Sequence, residues 1–409
     1  MADVDYYFER FGWQGRQLSA PVPAELGMVV VIPCHDEPDL TGSLQALHEC
    51  DQPTGQVEVI VVINAAAGSA VVEQNRRTGA AVKRWRASLE EEWFDLHVLE
   101  ENELPKKHAG VGLARKIGMD EAIRRFADVG RVEEGVIVCF DADCRCDPNL
   151  LTEIAGYFND RSHANGCSVC FEHPVAGEEA SDIYRAIVEY ELHLRYFIQA
   201  CRHAGHPFAF HTVGSSMAVR AGAYVKQGGM NKRQAGEDFY FLQKIIPLGG
   251  FGELNSTRVI PSPRVSDRVP FGTGKAVADH LRSGGRELLS YPLQPFEDMK
   301  ELFAWVMAGA EGRFDANGPL RRFLDAHQQV DAVRDIRAQT TNCAAFQKRF
   351  FRWFDAFKLM KYVHFARDEV YGPAPITDVA RRLVDGDGAL DLLRRYRHEQ
   401  RRGWVSPLG

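Results

Sequence analysis

Three apolar runs constrain this chain more than any other feature: MVVVIP at 28–33, VEVIVVIN at 57–64 and GVIVCFD at 135–141. Each is far shorter than the roughly 20 residues of a membrane span. Their β-branched residues follow one another with little polar alternation, the texture of strands buried on both faces. Such strands belong to parallel sheets whose faces are covered by helices. The stretches between them supply the helices: LTGSLQALHEC at 40–50, a long segment from about 70 to 92, and GVGLARKIGMDEAIRRF at 110–126, with another strand, FDLHVLE, at 94–100. The alternation predicts an α/β protein whose ligands bind beyond the carboxyl ends of the strands.

From about Ala276 the strand-like runs stop. LRRFLDAHQQVDAVRDIRAQ (320–339) and FQKRFFRWFDAFKLMKYVHFARDEV (346–370) read as helices, charged on one face and apolar on the other. The aromatic stripe of the second reads as core. The expected division is therefore a sheet domain over 1–275 and a helical region over 276–409.

Composition narrows the function. A net charge of −7, with no basic stripe or tail, argues against nucleic acid as a partner. With no charged-then-apolar leader at the start and no membrane-length run, a cytoplasmic location is expected. The nine cysteines lie mostly inside apolar runs and read as reduced core thiols. Cys144, Cys146, Cys167 and Cys170 have a spacing that zinc can use, but Cys170 sits within the strand-like CSVCF run, which favours the core reading.

Two acid pairs carry the chemistry. Asp141 and Asp143 stand at the mouth of a buried strand, where an extended backbone would turn both carboxylates to one side. Hard oxygen ligands in that arrangement suit Mg²⁺ or Mn²⁺, with open positions for substrate phosphates. Helix capping does not account for them, because Asp147 and Pro148 are the expected cap and first residue of the next helix. Glu237 and Asp238 open another helix, stopped by Pro247 and Gly249, whose positive end favours ionised carboxylates. Two glycine motifs fail. GVGLAR (110–115) has Arg115 in place of the third glycine of a dinucleotide site, and GTGKA (272–276) lacks the flanking residues of a P-loop.

Taken in order, VVVIPCHDEP, GVGLARKIGMDEA, FDADCRCDP, VGSSMAVRAGAYVKQGGM and GEDFYF resemble the segments of family 2 glycosyltransferases of the GT-A fold, over roughly 28–247. The resemblance implies a Rossmann-like, mostly parallel sheet with helices on both faces, its nucleotide-binding half at about 28–150 and its acceptor half at about 151–275. It implies transfer of a sugar from a nucleotide-diphosphate sugar to a hydroxyl acceptor with Mn²⁺ or Mg²⁺. Asp143 would be the principal metal ligand assisted by Asp141, Asp238 the general base, and Glu237 the residue that positions the base or acceptor. Pro33, His35, Asp36, Glu37, Asn64, Arg115, Lys116, Ala142 and Arg268 would line the donor, with Arg115 and Lys116 near its phosphates. Asn64 stands where the family shows an acid that reads the base, so Asp36 or Glu37 would share that duty. The segment 265–276, with Arg268, Lys275, Gly272 and Gly274, would be either a lid over the diphosphate or a surface turn. His108, His173 and His211 read as hydrogen-bonded structure rather than ligands. Retaining transfer, or a degenerate nucleotide-sugar-binding protein without catalysis, are the alternatives, and a homo-oligomer is compatible with the sequence.

Overall fold

The computed structural model of the chain describes residues 3–266, 272–310, 314, 316, 318–327 and 331–408. It divides into two compact units. One takes the chain up to 174 together with 212–263; the other takes 175–211, 264–266 and the described part of 273–409. The boundary expected near 275 lies close to the start of the last segment, but the second unit also draws 175–211 from the middle of the chain.

In chain order the elements are α1 Val4–Arg10, β1 Leu26–Cys34, α2 Leu40–His48, β2 Gln56–Ala66, α3 Val72–Ser88, β3 Asp95–Leu104, α4 Val111–Asp128, β4 Val136–Cys139, β5 Arg145–Cys146, α5 Leu150–Asp160, β6 Gly166–Phe171 and α6 Ser181–His203. They continue with β7 Met217–Arg220, α7 Ala221–Lys226, α8 Glu237–Ile245, β8 Phe251–Ile260, α9 Thr273–Arg282, β9 Leu289–Ser290, α10 Gln294–Met307, α11 Gly318–Ala326, α12 Ala332–Ala338, α13 Cys343–Trp353, α14 Ala356–Ala366, β10 Ala374–Pro375, α15 Ile376–Ala380 and α16 Gly388–Arg401.

The first unit is built on an eight-stranded sheet in the order β3-β2-β1-β4-β7-β6-β8-β5. Strands β3, β2, β1 and β4 are parallel, as the apolar runs require; β7 runs antiparallel to both β4 and β6, and β6 and β8 are parallel. The expected fold class, a mostly parallel sheet with helices on both faces and a helical C-terminal region, is the one observed. Strand alternation assigns the faces. Val30, Ile32, Val59 and Val61 pack with Leu44 and Leu47 of α2, Val82 of α3 and Ile154 of α5. The opposite face receives α4, so closely that a Cβ on Gly118 would come within 2.5 Å of Val31. The register pairs Cys34 with Ile63 and Val31 with Cys139, so the loops after β1, β2 and β4 emerge on one edge.

Helix α4 is buried on nearly every side, including Arg115, Lys116, Asp120, Glu121 and Arg125. The N-terminal segment covers its outer face. Trp13 N donates to Asp120 at 2.8 Å, Gln17 N and Leu18 N donate to Glu121 at 3.1 and 3.2 Å, and Arg125 donates to the carbonyls of Ala20 and Pro21 at 3.1 and 3.2 Å. Arg125 also pairs with Glu58 of β2, both side chains being fully buried.

Two expected helices begin or break elsewhere. Asp147 does not cap α5; its carboxylate takes two 2.9 Å bonds from Arg258, and the helix starts at Leu150. The run 346–370 is two helices rather than one, because Asp355 accepts the Lys358 N–H at 2.9 Å and caps α14 anew. The aromatic stripe is core, as expected: Phe350, Phe351 and Tyr362 are buried with Phe296 and Phe303 of α10, Tyr196 of α6 and Tyr396 of α16. Glu191 of α6 is held by Arg195 at 2.7 Å and by both nitrogens of Arg397, at 2.8 and 2.7 Å, tying α6 to α16. Among the described residues no helix is long and apolar enough to cross a membrane.

Removing one partner of a fully buried pair leaves an uncompensated charge. Glu58→Ala should therefore lower the stability of the sheet unit by about 3–5 kcal/mol in urea unfolding followed by circular dichroism. A change below about 1 kcal/mol would show that Arg125 finds its charge partner elsewhere.

Candidate active site

The loop after β4 presents its acids by a turn rather than on extended backbone. Cys144 N donates to the Asp141 carbonyl at 3.1 Å, closing a turn over Ala142 and Asp143. Ala142 is buried and its carbonyl accepts from Ser43 Oγ at 2.8 Å, which fixes the loop to α2. Asp141 and Asp143, on either side of it, remain partly exposed. Both acids keep partial exposure, but on a turn rather than on the extended backbone expected.

Arg115 joins this loop to the second acid pair. One terminal nitrogen donates to Asp141 Oδ1 and the other to Glu237 Oε1. The guanidinium is 1% exposed, and its Nε has no protein partner. It lies so close under residue 214 that a Cβ there would meet both terminal nitrogens at 2.7 Å, a contact only glycine permits. Burial lowers the Arg115 pKa, but Asp141 and Glu237 outweigh it, and the net shift is upward.

Glu237 and Asp238 begin α8 immediately after Gly236, whose φ of 69° places it in the left-handed region that favours glycine. Asn231 Nδ2 donates to the Glu237 carbonyl at 2.9 Å and holds this corner. Glu237 is buried, and burial, with the neighbouring charge of Asp238, pushes its carboxyl up to about 7 against the pull of Arg115. Asp238 keeps part of its surface open and accepts the Phe239 N–H at 2.7 Å. Desolvation raises its pKa too, opposed by Arg115. Asp141, Arg115, Glu237 and Asp238 thus form one electrostatic unit.

The other expected donor residues fall into two groups. At the ends of β1 and β2, His35 Nδ1–H donates to the Asn64 carbonyl at 2.7 Å and Asn75 Nδ2 to the same oxygen at 3.0 Å. Asp36 takes a left-handed φ of 50° and gives its N–H to Asn75 at 3.2 Å. Asn64 is 2% exposed, and its side-chain oxygen has no partner. Pro33 lies within β1 at the same edge. Glu37 departs from its expected place: it is fully buried and accepts the Asp39 N–H at 2.9 Å, so it braces the loop from within. Lys116 departs further. Its Nζ is buried, 2.9 Å from Tyr7 Oη and 3.1 Å from Asp120, so it cannot serve phosphates. Arg268 lies outside the described residues, and Lys275 pairs with Asp279 one turn along α9. Asn75, which binds both Asn64 of β2 and Asn102 of β3, carried no sequence signal.

Among the described residues no group of three or more His, Cys, Asp or Glu side chains is placed to hold a metal. The thiols of Cys144, Cys146, Cys167 and Cys170 form no such group. The two partly exposed carboxylates fit instead an Mg²⁺ or Mn²⁺ ion completed by substrate phosphates and water, the usual manner of such ions.

No protein-family model and no curated protein sequence matches the chain. Among solved structures it is similar to S. aureus TarS 1–349 in complex with UDP-GlcNAc, at 14% identity over 83% of this chain and 90% of that one, with a TM-score of 0.42. It is similar to the mannosyltransferase PcManGT from Pyrobaculum calidifontis in complex with GDP-Man and Mn²⁺, at 18% identity over 86% and 95%, with a TM-score of 0.38. It is similar also to GalNAc-T7 with UDP, GalNAc and Mn²⁺, at 14% identity over 74% and 55%, with a TM-score of 0.38. Likenesses at these TM-scores carry no weight of their own beside the strand order and the side chains.

A carboxyl whose folded pKa is raised keeps a proton that the unfolded chain gives up. Its stabilising contribution is whole below the ordinary value near 4.5 and is lost as pH rises to about 7. Glu237→Gln keeps an acceptor for Arg115 and removes the titration. Between these pH values the stability difference should move by up to ~3 kcal/mol in favour of the variant, measured by urea unfolding of both proteins. Parallel pH profiles would contradict the perturbed titration.

Proposed function

We propose that the protein is a glycosyltransferase of the GT-A type, similar to family 2, which moves a sugar from a nucleotide-diphosphate sugar to a hydroxyl acceptor with inversion. The observation that carries this reading is the Arg115 bridge, which places the Asp141–Asp143 turn and the Glu237–Asp238 helix start in one cluster. A donor-side acid pair and a base-side acid pair then face one reaction.

Asp238 is the general base in this reading and Glu237 its positioning partner. Glu237 is buried against Arg115, whereas Asp238 is partly open to an acceptor. The raised pKa of Asp238 moves it toward the operating pH, which improves a base. Asp238 takes the acceptor hydroxyl proton, the oxygen attacks the anomeric carbon from the face opposite the diphosphate, and the bond to the diphosphate breaks. Asp143, assisted by Asp141, would hold a divalent ion, which supplies positive charge to the leaving phosphates. Arg115 is a positioning residue for both acid pairs rather than a phosphate ligand. The buried, unpartnered Asn64 oxygen, with His35 and Asp36, would lie on the donor's base and ribose side. The second unit would serve the acceptor or a contact between copies.

Two variants test the assignment. Asp238→Asn preserves shape and removes the proton acceptor, so transfer should fall about 10²-fold or more while nucleotide affinity stays within about twofold. A near-native rate would move the reaction to a retaining path or the base to Glu237. Asp143→Ala should abolish Mn²⁺-dependent binding of UDP and GDP in calorimetry without loss of fold. Undiminished Mn²⁺-dependent binding would remove the metal from this turn.

A further inference from the structure

The thiols of Cys50 and Cys146 lie 3.6 Å apart although 96 residues separate them in sequence. Cys50 follows the end of α2, and Cys146 ends β5, three residues beyond Asp143. Both sulfurs face the carbonyl of Ala46, at 3.4 and 3.7 Å, so the last turn of α2 orients the two together. All nine cysteines are thiols in this structure. A disulfide needs a sulfur separation of about 2.05 Å, so an approach of about 1.5 Å closes this pair.

We infer that Cys50 and Cys146 are a redox pair that closes to a reversible intrachain disulfide under a two-electron oxidant such as hydrogen peroxide. The inference is independent of the sugar-transfer reading. The bond would tie the end of α2 directly to the strand that leaves the Asp141–Asp143 turn, a loop α2 already holds through Ser43. Cys50 is 5% exposed and Cys146 is partly exposed, so Cys146 is the member of the pair nearer solvent. Contact with Cys146 lowers the Cys50 pKa, while the same contact and burial raise that of Cys146. Either sulfur can donate in the contact, and we take Cys50 as the attacking thiolate and Cys146 as the resolving thiol. Its sulfur takes one oxygen of the peroxide as the O–O bond breaks, leaving a sulfenic acid and a hydroxide. Cys146 gives its proton to that hydroxide, and its sulfur displaces the hydroxyl group from Cys50, which takes a proton from solvent. Two sulfurs lose two electrons and the peroxide leaves as two waters, one proton having been lost to solvent when the Cys50 thiolate formed and one returned.

The test is peptide mapping of the full chain after peroxide, alkylation of remaining thiols and digestion without reductant. A cross-linked Cys50–Cys146 peptide, lighter by two hydrogens than the sum of its parts and dispersed by dithiothreitol, is expected. Cys146→Ser should leave a sulfenic acid at Cys50 that dimedone traps, and Cys50→Ser should leave Cys146 alkylated. Recovery of both cysteines as alkylated thiols, at a peroxide dose that oxidises the exposed Cys343, would overturn the inference. So would cross-links of either residue to other cysteines. The native-protein map decides the question even if a variant fails to fold.

Discussion

The Arg115 guanidinium is the interaction on which the rest of the site depends. A buried positive charge is tolerated only with compensating partners, and removing a partner from such a pair costs several kcal/mol. Here the partners come from two distant parts of the chain, Asp141 at the end of β4 and Glu237 at the start of α8. Displacing either acid strands the guanidinium, so the β4 turn, α4 and α8 fix one another. The requirement extends to Gly214, where any side chain would collide with the cation. The geometry also separates the acids by role, since Glu237 is consumed by Arg115 while Asp238, one residue on, stays partly open.

Such a bridge holds position only if α4 itself cannot move. The helix lies against the sheet through Gly118 on one side, and the N-terminal segment closes over its other side through Asp120 and Glu121. Lys116, Tyr7, Tyr224 and Asp120 form a second buried polar cluster, and Arg125 with Glu58 a third. Charge distributed in this way along a buried helix contributes little net stability, because desolvation offsets attraction. All three groups are paired together in this orientation of α4.

The sheet was legible because continuous β-branched runs have few alternatives to a parallel strand buried on both faces. The acids stood out because neither a helix cap nor a strand ladder accounts for two carboxylates at the mouth of a buried strand, although Asp141 proves to be one of the two partners of Arg115. Arg115 and Lys116 were not separable by sequence, since adjacent residues on a helix point about 100° apart and only the tertiary neighbours reveal which faces the site. Glu37 looked available for the same reason, yet the loop folds over it. Asp147, expected to cap a helix, was claimed by Arg258, and Asp355, which carried no such expectation, caps the start of a new helix. The membership of α6 in the helical unit was hidden too, because its buried Glu191 is satisfied by Arg397, 206 residues away.

The central claim is that Arg115 is an internal tie between two acid pairs and that the donor's phosphates are met at the Asp141–Asp143 turn. A crystal structure of the protein with a nucleoside diphosphate and Mn²⁺, using manganese anomalous scattering, tests it most directly. The account predicts an anomalous peak within ligating distance of the Asp143 carboxylate, with Arg115 still joined to Glu237. A peak away from that turn, or an Arg115 that has left Glu237 to bind the diphosphate, would contradict it.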